Sequence, residues 1–104
     1  MKLEERIQFE CVMWLQEAGY YFMSVPNEAT AKRASHFIAM GMRPGASDLV
    51  IIMPAGRVIF VELKNEIGTQ KKGQKLFQSR VEELGHTYIL IRSLDELKKA
   101  LSGL

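Results

Sequence analysis

The chain has 104 residues, of which 47% are hydrophobic and 25% charged, with a net charge of +2. These values suit one globular domain with a single core. They leave no place for a transmembrane helix, since the apolar runs are only strand-sized. A signal-peptide core is missing from the first residues, and the lone Cys11 excludes a disulfide framework, so a cytoplasmic protein is expected.

Residues 3 to 18 read as an amphipathic helix, with Leu3, Ile7, Cys11, Trp14, Leu15 and Ala18 at three- and four-residue spacing and Gly19 as the stop. Tyr20 to Val25 reads as a short strand ended by Pro26-Asn27. A weaker helix pattern runs from Ala31 to Met40 and closes at Gly41. Two β-branched or aliphatic runs follow, Leu49 to Met53 and Val58 to Leu63, joined by Pro54-Ala55-Gly56. They predict a hairpin. Because both of its faces are apolar, its strands are expected to be central and covered on both sides. After a polar loop, Lys71 to Leu84 predicts a helix with Leu76, Phe77, Val81 and Leu84 inward, ended by Gly85. His86 to Ile91 is a fourth strand, and Ser93 caps a last helix from Leu94 to Leu101. Trp14, Tyr20, Tyr21 and Phe22 are expected in the core. His36 and His86 lack metal-ligand spacing and read as a surface and a strand-start residue. The order of elements predicts an α/β fold, a mixed sheet with helices on both faces.

The hairpin carries the chemistry. A reversal at Ala55-Gly56 places Asp48 opposite Glu62, where paired Cβ atoms lie about 4.5–5.5 Å apart. Lys64 then leaves the same face of the strand as Glu62. Two acids and a lysine at the end of an apolar hairpin are costly to bury without a purpose, and a hard divalent cation would supply one. Charge is distributed to match. Residues 29 to 47 hold Lys32, Arg33 and Arg43 without an acid, and residues 64 to 81 carry a net +4. Those segments flank the acidic hairpin and suit a polyanion lying across it.

Gly45-Ala46-Ser47-Asp48, then Glu62-Leu63-Lys64, then Gln74 resemble the core of the PD-(D/E)xK nucleases. Within that superfamily the chain is most similar to the VRR-NUC domain, the virus-type replication-repair nuclease. Glu5-Arg6-Ile7-Gln8 resembles the family's early Glu-x-x-Gln, and Val25-Pro26-Asn27-Glu28 its Pro-Asn after the first strand. Thr69 to Gln74, with Leu76-Phe77 and Leu84-Gly85, resembles its Gln-bearing helix. Ser47 stands where most relatives have a loop-shaping proline that is not a ligand.

The resemblance implies a restriction-endonuclease-like core of four strands and a phosphodiester hydrolase that uses Mg²⁺, with Mn²⁺ able to substitute. Asp48, Glu62, the Leu63 carbonyl and Glu5 would hold the metal. Lys64 would orient water and stabilise charge on the phosphate, and Gln74 would fix the lysine or the water. Lys71, Lys72, Lys75, Lys32 and Arg33 would hold phosphates, with Asn27 helping to shape the site. The implied protein is bacterial or phage-encoded, with branched DNA as substrate. Since one site cuts one strand, a homodimer that resolves four-way junctions is expected. The alternatives are a flap or nick nuclease that needs a partner, and a non-cleaving nucleic-acid-binding module of the same fold.

Overall fold

The computed structural model describes residues 2–26 and 31–104. Helix α1 (Leu3–Glu17), strand β1 (Tyr21–Ser24), helix α2 (Ala31–Ala39) and strand β2 (Leu49–Ile52) lead into a 3-10 turn at Pro54–Gly56. Strand β3 (Val58–Leu63), helix α3 (Lys72–Glu83), strand β4 (Thr87–Ile91) and helix α4 (Leu94–Ser102) complete the order. The strands form one four-stranded sheet in the order β1-β2-β3-β4. The β1/β2 and β2/β3 pairs are antiparallel and β3/β4 is parallel, so the sheet is mixed, as expected.

The hairpin reverses where the sequence places the turn. Proline fixes the entry, and Ala55 and Gly56 take positive φ angles of 64° and 74°. The register that follows pairs Leu49 with Val61 and Ile51 with Ile59. These residues point to one face of the sheet and meet Ile7, Cys11 and Leu15 of α1 and Leu97 and Leu101 of α4. Burial pushes the Cys11 thiol up to about 11, helped by the charge of Glu10, so it acts as a small hydrophobe. Ser93 caps α4 by accepting from the Glu96 N–H at 3.1 Å, while Glu96 Oε1 accepts from the Arg92 N–H at 2.7 Å.

The opposite face is built on aromatics. The Phe77 ring of α3 lies 5.4 Å from Phe60 and 6.2 Å from Tyr88. Coverage is thinner than the sequence predicts. Among the described residues of α3 only Val81 is buried, while Leu76 and Leu84 are 62% and 58% exposed. Tyr21, expected in the core, is 73% exposed, and Ile52 of β2 is 40% exposed. The hairpin is therefore not covered on both sides. The register explains this, since Tyr21 pairs with Ile52 and Met23 with Val50 on the same face, and α3 lies over β3 and β4 instead. Trp14, Tyr20 and Phe22 are half-buried against the core. Leu3 and Ala18 are exposed, at the two ends of the α1 stripe. None of the α2 side chains described, residues 33–39, is buried.

Candidate active site

Asp48 lies just before β2 and straddles Glu62. Its N–H donates to the Val61 carbonyl at 3.0 Å, and its Oδ2 accepts from the Leu63 N–H at 2.7 Å. The lead-in is held by Ser47, which is fully buried and whose hydroxyl donates to the Leu49 carbonyl at 3.1 Å. The hydroxyl thus fixes the loop in which the resembling family uses proline. Gly45 has φ +89°, and a Cβ there would lie 2.5 Å from the Gly73 carbonyl group and 3.0 Å from the Gln74 nitrogen. Only glycine allows that approach, and it brings the loop against the first turn of α3.

Glu62 and Lys64 project from one face of β3 and both are buried, at 1% and 7% exposure. The Lys64 ammonium is 3.7 Å from Glu62 Oε2. Gln74 Nε2 donates to the same oxygen at 3.0 Å, and Gln74 Oε1 accepts from the Lys71 N–H at 2.9 Å. One amide thus ties the α3 N-terminus to the acid. Glu62 is raised well above the ordinary carboxylate range, to about 8. Burial is the largest cause, followed by the charge of Asp48, and Lys64 opposes them. Such a carboxylate pair resists double ionisation until a cation joins it.

An open cleft of about 440 Å³ adjoins the cluster, lined among others by Glu4, Glu5, Gln8, Ser24 and Asp48. Asp48 joins the two regions, since Glu62 and Lys64 do not line the cleft. Beyond β3 the chain turns sharply. Asn65 Oδ1 accepts from the N–H groups of Ile67 and Gly68, and Arg92 donates to the Asn65 and Gly68 carbonyls at 2.6 and 2.7 Å.

Two solved structures are similar over nearly the whole chain. One, a "VRR_NUC domain protein", superposes with a TM-score of 0.83 at 17% identity, covering 99% of this chain and 88% of its own. The other, a "VRR_NUC domain", gives a TM-score of 0.71 at 22% identity and covers 98% and 97%. The fold is that of a VRR_NUC domain. It is an α/β fold of the restriction-endonuclease-like kind. No protein-family model matches the sequence, and no curated protein does.

On this VRR_NUC scaffold the structure brings Asp48, Glu62, Lys64 and Gln74 together, with Leu63 anchoring Asp48 through its N–H. Glu5 is exposed in the cleft, whereas its neighbour Glu4 is half-buried and its charge acts on Glu62. The apolar stripe contained that distinction: Glu4 precedes Ile7 by three and Cys11 by seven, which places it on the helix face turned to the sheet. Lys71, Lys72, Lys75 and Arg33 are exposed, and the Arg33 guanidinium lies 4.9 Å from the Phe37 ring centre. Asn27 and the side chain of Lys32 lie outside the described residues. Sequence reading missed Gly73, Gln70 and Tyr88; Gln70 and Tyr88 both hydrogen-bond at the cluster.

The donor set fits a hard cation. Among the described residues no group of three or more His, Cys, Asp and Glu is placed to hold a metal; Asp48 and Glu62 form a carboxylate pair there, with backbone beside it. Mg²⁺ is commonly bound by one or two carboxylates, with water and substrate phosphate completing its shell.

Proposed function

We propose that the protein is a divalent-metal-dependent DNA endonuclease that works as a homodimer on branched DNA, with four-way junctions as the preferred substrate. The observation that carries the nuclease reading is the buried Glu62–Lys64 pair, in contact with Gln74 and beside Asp48, at the sheet end of a VRR_NUC fold. Asp48 and Glu62 would hold Mg²⁺ or Mn²⁺. When bound, the cation supplies Lewis acidity toward the phosphodiester and toward water.

The remaining steps belong to the chain. Lys64 directs its ammonium at the same carboxylate and stabilises charge that builds on a phosphoryl group there. Gln74 holds Glu62 and, through Lys71, aligns α3 so that its N-terminus faces the cluster. Phosphates are favoured at such an end. The exposed lysines 71, 72 and 75 extend that positive surface and fix the strand without reading sequence. The dimer is supported by the apolar surface left open by Tyr21, Met23 and Ile52 on one face of the sheet. No helix of the described residues is long and apolar enough to cross a membrane.

The test is cleavage of labelled four-way junction, flap and plain duplex with Mg²⁺, Mn²⁺ or EDTA. Paired symmetrical cuts in the junction are expected, lost with EDTA and with Asp48→Asn. Lys64→Ala should slow turnover by at least about 10²–10³-fold while DNA binding persists. Tight binding with no product from any substrate would favour a non-cleaving module or a missing partner. A monomer at micromolar concentration in size-exclusion chromatography with light scattering would remove the dimer.

A further inference from the structure

The protein grips the Glu62 carboxylate at both of its oxygens. Gln74 and Lys64 face Oε2, while the Tyr88 hydroxyl donates to Oε1 at 3.4 Å. Tyr88 is itself oriented. Gln70 Nε2 donates to the phenol oxygen at 3.1 Å and to Gln78 Oε1 at 2.9 Å. With Gln70 already donating to that oxygen, the phenol proton is left to point at Glu62.

The parallel register explains why a β4 residue reaches this site. Phe60 pairs with Tyr88 and Glu62 with Leu90, so Tyr88 shares the face of Glu62, one step behind it. Tyr88 is 7% exposed and its ring lies beside Phe77, which leaves the hydroxyl little freedom. A cation that demands near-octahedral geometry tolerates little rotation of its carboxylate ligands. Hydrogen bonds from outside the ligand set supply that restraint.

We propose that Tyr88, oriented by Gln70, is a positioning residue that fixes the Glu62 carboxylate for divalent-cation binding. This rests on the metal-dependent reading above. Tyr88 acts through Glu62, so its effect is read in the affinity for the ion. Tyr88→Phe keeps the ring and removes only the hydroxyl.

The experiment is titration of the DNA-free protein with Mn²⁺, followed by calorimetry or by the electron paramagnetic resonance signal of the free ion. Wild type, Tyr88→Phe, Gln70→Leu and Asp48→Asn are compared, with thermal melting of each. Tyr88→Phe should bind Mn²⁺ about tenfold more weakly or worse, with DNA affinity in EDTA unchanged. Gln70→Leu should lose affinity in the same direction but less. A folded Tyr88→Phe within twofold of wild type overturns the proposal. If that variant does not fold, Gln70→Leu decides, and wild-type affinity there overturns it. Wild type that takes up no Mn²⁺ removes the metal reading and this proposal with it, whereas intact wild-type uptake with no Tyr88 effect overturns the proposal alone.

Discussion

The two faces of the sheet have the same backbone behind them and opposite chemistry in front. One is closed by α1 and α4 over Leu49, Ile51, Ile59, Val61, Leu63 and Ile91, which pack as one apolar cluster. The other carries Glu62, Lys64 and Tyr88 under α3 and leaves Tyr21, Met23 and Ile52 exposed. The closed face supplies stability through burial of apolar area. It thereby allows the second face to keep a buried acid raised above its ordinary range, a feature that costs stability and suits a site.

Substitutions that treat the faces alike would break this contrast. Leu97, fully buried in α4, should cost about 2–5 kcal/mol as Leu97→Ala, read by denaturant unfolding. Glu62→Gln should act on stability in the opposite sense. The folded protein holds Glu62 protonated up to about pH 8, whereas the unfolded chain releases that proton in the ordinary carboxylate range. The folded state therefore binds more protons between those limits, and stability of the metal-free protein falls as pH rises through them. Melting from pH 5 to 8.5 should show that fall in wild type and a flatter profile in Glu62→Gln. Equal slopes would count against the raised acid. The smallest effect is expected from Leu76→Ala on α3, within about 0.5 kcal/mol, because Leu76 is 62% exposed. A loss as large as that of Leu97 would mean that something in solution covers this face.

Much of the closed face was legible because periodicity reports burial directly. The runs Leu49 to Met53 and Val58 to Leu63, with Pro54-Ala55-Gly56 between them, fixed the register that sets Asp48 beside Glu62. The open face was misjudged for the same reason. Leu76, Leu84 and Tyr21 fit an inward pattern, but a pattern cannot tell whether a second layer exists to cover it. Tyr88 and Gln70 were invisible for another cause. Their approach to Glu62 depends on the parallel pairing of β3 with β4, and no local signal encodes which residues of two distant strands come abreast. Gln74 was found only through its resemblance to a known motif. The hydrogen bond that its side chain accepts from the Lys71 N–H is the capping-box contact of a helix start, with lysine in place of the usual serine or threonine.

The parallel junction has one more consequence. The strand that leads from Glu62 to Lys64 pairs with β2 in the local hairpin, but it gains its second partner only when β4 is present and the α3 crossover has closed, with Lys64 N–H donating to the Ile91 carbonyl. Such non-local pairing comes late and slowly in folding. A chain that ends before β4 can form the hairpin that sets Asp48 beside Glu62, but it lacks Tyr88 and the Ile91 carbonyl that accepts from the Lys64 N–H. Completion of the cluster is thus tied to completion of the sheet, because the grip on both oxygens of Glu62 exists only once α3 and β4 are in place.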